Sequence, residues 1–459
     1  MAVLPYFILS PNTVMSLIGL LTGPDKTKAT PGDDIAGKTI DVVVPTYFEE
    51  KNVLLCLASL VRQTKQPRKI FLMDDGSKDA TVDAAWKFGQ ANFLDIEIVQ
   101  RQKSIGKTPS MKRQARELDC DVLFILDGDT VLDSENYLER VVEEIYKTAG
   151  KGVACVNGAV LPLRHKDRKR YAECPRIQRF ALQFDTKIVA DKGPRHIFLR
   201  GITNLYRSTL YMFLQRFTYR GQMAFFGTMV SPVGCAVGYR REYLEAIFDE
   251  YEPKLGDDLT NSEDIFLGFA MIDKGYRCVQ LLDVLCKTEE PPINRLPRQM
   301  LKWSSAFYQS CYYFKRLVIS PFRTPKRIRN RRHEKRLETT RRVIKEPYRQ
   351  PFGTNFTDLL GRPVGWSILT SLVEKVSFPI ALLLMAVFRW WEALAVTLLA
   401  EAVLSLLILF IIAKDMRFKF LLMGLAATPI RYFVLFFDLI TLGRFASDIL
   451  ISGNRRWRK

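Results

Sequence analysis

Four short runs punctuate the first part of the chain: the β-branched Ile40 to Val44, Lys69 to Met73, Ile96 to Gln100 and the fully apolar Val122 to Leu126. They predict strands. Between them, Asn52 to Thr64, Ala80 to Ala91 and Ser110 to Leu118 carry apolar residues at helical spacing. Strands alternating with helices predict an α/β fold with a doubly wound, mostly parallel sheet. Such a sheet gathers its ligands at the carboxyl ends of its strands.

Further along, the pattern changes. Leu296 to Leu317 mixes aromatic and basic residues at helical spacing, as a helix lying at a membrane surface would, or an ordinary amphipathic surface helix. Trp366 to Phe388, Trp391 to Ile412 and Phe418 to Leu442 are apolar runs that approach or exceed the roughly 20 residues needed to cross a bilayer. Glu374, Lys375, Glu401 and Arg431 interrupt these runs and should face protein or a wet channel rather than lipid. Three spans would leave the basic tail from Arg455 outside, against the positive-inside preference, so the count is open by one. Residues Met1 to Leu21 are apolar but lack a basic leader and a small-residue cleavage site, so no cleaved signal peptide is expected. A membrane-lying or short spanning helix and a buried helix are the alternatives there.

The net charge of +19 raises nucleic acid as a partner. The placement of the charge argues against it. Arg323 to Arg349 holds twelve Lys or Arg against three Glu, between the amphipathic helix and the apolar runs. A solvated linker beside anionic lipid fits that position better than a nucleic-acid arm, and it keeps the preceding domain cytoplasmic. The eight cysteines are scattered and the three histidines unpaired, which excludes a zinc site of the usual kind and a disulfide-rich module. Any metal here should be oxygen-ligated.

Candidate chemistry sits where the strands end. Thr46-Tyr47-Phe48-Glu49-Glu50 closes the first strand with an aromatic and acids suited to a nucleobase. Asp74-Asp75-Gly76-Ser77 follows the second, with acids able to accept from a base N–H or a ribose hydroxyl. In isolation it is equally a turn capping the next helix. Asp127-Gly128-Asp129 ends the fourth, and paired carboxylates suit a hard divalent cation that keeps phosphate oxygens as ligands. Any one of these alone is weak; their order along the chain and common sheet edge join them.

In that order they resemble the family 2 glycosyltransferases, with Gly106-Lys107 as a further match. Ser262-Glu263-Asp264, then Lys274-Gly275-Tyr276-Arg277, resembles the family's acceptor-side acidic segment, and Gln299-Met300-Leu301-Lys302-Trp303 resembles the Gln-x-x-Arg-Trp motif of its processive members. Ser231 to Arg241, including Gly234 and Cys235, looks like the acceptor-binding stretch, or else a strand with packing glycines. The resemblance implies a GT-A type domain over residues 38–290, after an N-terminal membrane-associated segment at 1–37. An interfacial helix at 291–322, a basic linker at 323–365 and transmembrane helices at 366–459 follow. It implies that Thr46, Tyr47, Glu49, Asp74, Asp75, Lys107 and Asp127 bind the donor nucleotide, and that Asp127 and Asp129 hold Mg²⁺ or Mn²⁺. Asp264 is then the general base, with Asp257-Asp258 as its rival. Gln299, Lys302, Trp303, Glu263, Gly234 and Cys235 serve the pyrophosphate and the acceptor.

The implied activity is an inverting, processive hexosyltransferase of the plasma (inner) membrane that polymerises and exports a β-linked polysaccharide. A single transfer to a lipid carrier or glycolipid is the alternative. The partners are a nucleotide-sugar donor, UDP-sugar favoured over GDP-sugar, a growing glycan and the lipid bilayer, with accessory export proteins admitted and nucleic acid excluded. Lys302 departs from the family's arginine and offers phosphate a point charge in place of a bidentate fork.

Overall fold

The computed structural model describes residues 10–22, 35–146, 152–184, 193–256, 259–337 and 354–452. The expected strands form within a residue or two of their predicted bounds: β1 (Ile40–Thr46), β2 (Ile70–Asp74), β3 (Ile96–Gln100) and β4 (Val122–Leu126). Four more complete the sheet: β5 (Thr130–Leu132), β6 (Val153–Pro162), β7 (Ala236–Arg240) and β8 (Arg277–Thr288). The order is β3-β2-β1-β4-β7-β6-β8-β5. β1 runs parallel to β2 and β4, and β2 parallel to β3, which is the doubly wound half. Beyond β4 the sheet is mixed, because β7 is antiparallel to both β4 and β6 while β6 and β8 are parallel. The fold is of the GT-A kind, followed by long apolar helices.

β4 is buried along its whole length, as its unbroken Val-Leu-Phe-Ile-Leu run requires with helices on both faces. The helix Val53–Val61 buries eight of its nine residues against the sheet. Each fully buried aliphatic side chain contributes about 1.5–3 kcal/mol, so this layer anchors the domain.

The register gathers the site. Thr46 pairs with Asp74 across β1 and β2, so the first two acidic loops leave the sheet side by side. Leu126 pairs with Ala236, which brings Gly234-Cys235 beside Asp127. Thr130 pairs with Thr288, which brings Glu289 and Glu290 beside Asp129.

The amphipathic segment is a helix from Leu296 to Tyr313, broken at Phe314. The basic linker, expected to be solvated, forms a helix over Thr324–Leu337 among its described residues. Among the described residues, three helices are long and apolar enough to cross a membrane: Gly365–Val387, Trp391–Ile412 and Lys414–Leu450, the last running past the expected end at Leu442. They leave large apolar side chains such as Leu399 and Leu422 exposed, as a lipid-facing surface does. The four charged residues expected to avoid lipid meet protein partners: Lys375 pairs with Asp438 at 2.8 Å, Arg431 with Glu401 at 2.6 Å, and Glu374 accepts from Asn12 at 3.4 Å. The basic tail and Asp257-Asp258 lie outside the described residues.

The helix Pro11–Thr22 packs on the helix Arg220–Phe226, where Gly19 and Gly221 let the backbones meet. A Cβ at Gly221 would stand 2.7 Å from the Ser16 Cα. Gly221→Ala should therefore destabilise the protein by about 1–3 kcal/mol through overpacking. Gly201→Ala, where nothing lies within 4 Å, should stabilise by up to about 1 kcal/mol through helix propensity. Thermal unfolding of the two variants in one detergent checks the opposite signs.

Candidate active site

Lys107 is the hub. Gly106, at φ 93°, turns the chain so that the helix Lys107–Glu117 starts at the sheet edge. The Lys107 ammonium lies 2.6 Å from Asp127 Oδ1 and 3.3 Å from Glu263 Oε1, and donates to the Gly234 carbonyl at 2.9 Å. Burial opposes its charge, but the carboxylates of Asp127 and Glu263 outweigh that, so the ammonium is held well above its ordinary range. One buried cation thus ties Asp127 to Glu263, the neighbour of Asp264.

Asp127 donates its backbone N–H to the Cys235 carbonyl at 2.9 Å. Gly128 must be small, since a Cβ there would stand 2.7 Å from Thr46 Cγ2 and 3.2 Å from Glu49 Cγ. Asp129 accepts from the hydroxyls of Thr130 at 3.1 Å and Thr288 at 3.3 Å. Its carboxyl is pushed well up, first by burial and then by the charges of Glu49, Asp127 and Glu289. Glu49 is pushed up to about 7, chiefly by burial, with Glu289 and Asp127 adding and the Asn52 amide opposing.

Four carboxylates crowded in this way call for positive charge. Among the described residues no group of three or more His, Cys, Asp or Glu forms a ready cage. Asp127 and Asp129 fit a divalent cation that takes its remaining ligands from diphosphate and water, which suits Mg²⁺ or Mn²⁺ better than zinc.

Asp264 begins the helix Glu263–Lys274. Its Oδ1 accepts from the Ser262 hydroxyl at 2.5 Å and the Ile265 N–H at 2.8 Å, and its Oδ2 from the Gly234 N–H at 3.1 Å. A Cβ at Gly234 would stand 2.8 Å from that same Oδ2, so glycine keeps the carboxylate in place. Burial first, then Glu263, raises the Asp264 pKa; Ser262, Lys107 and the Ile265 N–H hold it down.

The second acidic motif plays another part. Asp74 is buried, and accepts from the Ser77 hydroxyl at 2.5 Å and from the N–H groups of Gly76 and Ser77. The Thr46 hydroxyl donates to it at 3.3 Å. Asp75 accepts from Arg101 at 3.1 Å, from the Ser104 hydroxyl at 2.5 Å, and from the N–H groups of Ile105 and Gly106 at 2.9 Å each. It pins the loop that delivers Lys107. Tyr47 and Phe48 stand half-exposed beside it, edge to face at 4.6 Å between centroids.

Residues 41–248 match the family model described as Glycosyl transferase family 2. Over that stretch the chain is similar to the family 2 glycosyltransferases. It is 26% identical over 221 residues to the O-antigen chain rhamnosyltransferase RfbN of Salmonella typhimurium, covering 47% of this chain and 68% of that one. It is 22% identical over 290 residues to an N-acetylglucosaminyltransferase of Bradyrhizobium diazoefficiens, covering 62% of this chain and 52% of that one. With glycosyltransferase AglE of Haloferax volcanii it shares 30% identity over 123 residues, 26% of this chain and 39% of that one. The chain therefore spans about half the length of several curated relatives it matches. Among solved structures, the mannosyltransferase PcManGT from Pyrobaculum calidifontis, in complex with GDP-Man and Mn²⁺, aligns with a TM-score of 0.45 and 16% identity, over 88% of this chain and 97% of that one.

A cavity of about 730 Å³ lies between the edge of the sheet and the apolar helices. Its walls include Lys107, Asp127, Asp129, Glu263, Asp264, Gly234 and Cys235 from the sheet edge and its loops. Gln299, Lys302 and Trp303 line it as well, together with Lys375, Arg431 and Asp438 of the apolar helices. Thr46, Tyr47, Glu49, Asp74 and Asp75 stand outside this cavity.

Sequence reasoning missed Glu289 and Glu290. Glu289 accepts from Arg168 and Arg200; Glu290 is buried against Arg207 and Tyr211. A Glu-Glu pair at a strand end before Pro291-Pro292 was the available signal.

The Asp75 carboxyl lies below its usual 3.8, because Ser104, the Ile105 and Gly106 N–H groups and Arg101 outweigh the burial that opposes them. Its contribution to stability is present above pH 3.8 and lost as pH falls through the lowered value. Asp75→Asn should therefore destabilise by about 1.5–3 kcal/mol near neutral pH. Thermal midpoints of the variant and parent should converge as pH falls below 3.8; a gap independent of pH would contradict the assignment.

Proposed function

We propose that this protein is a membrane-embedded, inverting glycosyltransferase that builds a β-linked glycan from a nucleotide sugar. The observation that carries the reading is one cavity lined by Asp127, Asp129 and Asp264, by Trp303, and by Lys375 and Asp438 on the apolar helices. A sugar transferred there has continuous space toward the apolar helices, where Lys375, Arg431 and Asp438 supply polar groups. That space favours a processive enzyme which feeds its product into the membrane.

Each residue has a part in the displacement. Thr46, Tyr47 and Glu49 flank the nucleoside, with Asp74 and Asp75 shaping its pocket through the loops they pin. Asp127 and Asp129 hold Mg²⁺ or Mn²⁺, which when bound neutralises the diphosphate. Lys107 adds fixed positive charge beside Asp127, where negative charge grows on the leaving group. Lys302 provides a point charge toward the same diphosphate.

Asp264 takes the proton of the acceptor hydroxyl as that oxygen attacks the anomeric carbon and the bond to the diphosphate breaks. Burial first, then Glu263, raises its pKa and so strengthens it as a base, while Ser262 and Lys107 oppose the rise. Its Oδ2 is aimed by the Gly234 N–H. Attack opposite the leaving group inverts the anomeric centre, so an α-linked donor yields a β-linked product. Trp303 offers its indole to the terminal sugar of the acceptor. The donor is read as a UDP-sugar ahead of a GDP-sugar, and the basic stretch before the spans supports a catalytic domain on the cytoplasmic face of the plasma membrane.

A second reading, a single transfer onto a lipid carrier, draws on one feature. An apolar cavity of about 250 Å³ between Leu296-Pro297 and Pro429-Ile430 meets the catalytic cavity at Val434, where a lipid tail could lie. Purified protein offered a panel of labelled UDP- and GDP-sugars with Mn²⁺ should consume one of them and release long chains. A product limited to a mono- or disaccharide-lipid would replace the processive reading with the second one.

A further inference from the structure

One face of the helix Gly193–Phe213 carries Arg200, Asn204, Arg207 and Tyr211, and it meets both glutamates that follow β8. Arg200 bonds Glu289 at the metal end of the site. Arg207 is wholly buried. Its Nη2 donates to Gln299 Oε1 at 2.7 Å, and its guanidinium lies 4.3 Å from the centroid of the Trp303 ring. Glu290 holds it from behind at 3.4 Å and accepts from the Tyr211 hydroxyl at 2.6 Å. Gln299, Trp303, Glu290 and Tyr211 line the catalytic cavity, whereas Arg207 stands behind them.

Arginine's chemistry fixes what these neighbours can do. A guanidinium has donors only, so the Gln299 atom facing it must be the amide oxygen. That leaves the amide N–H groups as the donors Gln299 can turn toward the cavity. One face of the Trp303 indole is covered by the planar cation, which leaves the other for a sugar ring. Lys302, on the same helix, could not replace this contact, because a point-charge ammonium does not donate in plane to an amide while stacking on an indole.

We propose that Arg207 is a positioning residue for the acceptor, acting through Gln299 and Trp303 and held by Glu290. It sets the site for a neutral sugar whose apolar face stacks on Trp303 and whose oxygen lone pairs face Gln299. The inference rests on the glycosyltransferase reading of the cavity and goes beyond it in assigning a residue outside every recognised motif.

The test measures KM for added acceptor, using short products purified from the parent enzyme, alongside the Kd of the donor's nucleoside diphosphate with Mn²⁺. Arg207→Lys keeps the charge and loses the planar fork. It should raise the acceptor KM by about tenfold or more, in line with loss of a charge-assisted, geometrically specific contact, while the nucleotide Kd stays within about twofold. Glu290→Gln releases Arg207 without altering it and should shift the acceptor KM the same way by a smaller factor, which serves if the lysine variant does not fold. A folded Arg207→Lys or Glu290→Gln protein with the parental acceptor KM would overturn the proposal, as would a nucleotide Kd rising in step with the KM. A parent enzyme that turns over no nucleotide sugar would overturn the glycosyltransferase reading and this proposal with it.

Discussion

The site depends on keeping carboxylates together that would otherwise push one another apart. Lys107 does most of this within the protein: a single buried ammonium contacts Asp127 from β4, Glu263 from the helix of Asp264, and the carbonyl of Gly234 before β7. Those three groups come from distant parts of the chain, and the cation is their shared neighbour. Where Lys107 does not reach, around Asp129 and Glu49, the carboxyls are driven up in pKa, and Arg168 and Arg200 serve Glu289. The residual excess of negative charge is the physical case for a divalent cation and a diphosphate arriving together.

The sheet makes this crowding possible without a large cost in flexible loops. Parallel β1, β2 and β4 deliver three acidic loops to one edge. Antiparallel β7 and the β5–β8 pair return to the same edge with Gly234, Glu289 and Glu290. Glycine is required at two of the closest approaches, Gly128 against Thr46 and Gly234 against Asp264, where any side chain would displace a functional group. Below the edge, the helix from Leu296 to Tyr313 joins the domain to the apolar helices. Ser304 donates to Asp438, which also receives Lys375, so this helix and the apolar helices share one polar contact.

Much of this was legible in the sequence, and for a definite reason. Short apolar runs announce the parallel half of the sheet, and acids follow β1, β2 and β4, so β1 to β4 and the placing of Asp74 and Asp127 at one sheet edge could be read from local pattern, whereas Asp264 was reached only through the family resemblance. Three things could not be read this way. The roles of Asp74 and Asp75 depend on which donors the neighbouring loops present, and those loops consume their oxygens in pinning Gly76-Ser77 and residues 104–106. The buried arginines Arg168, Arg200 and Arg207 belong to helices without a recognisable motif, and only the tertiary fold shows which glutamates they meet. The helix over Thr324–Leu337 was likewise hidden, because its high charge masks any apolar periodicity.

The central claim is that this cavity transfers sugar by proton abstraction at Asp264 beside a metal-held diphosphate. The most direct measurement compares Asp264→Asn with the parent for both nucleotide binding and sugar transfer in the presence of Mn²⁺. The account predicts that the nucleotide Kd stays within about twofold while transfer falls by about a hundredfold or more, the loss expected when a general base is removed. Transfer at the parental rate in a folded Asp264→Asn protein would contradict it.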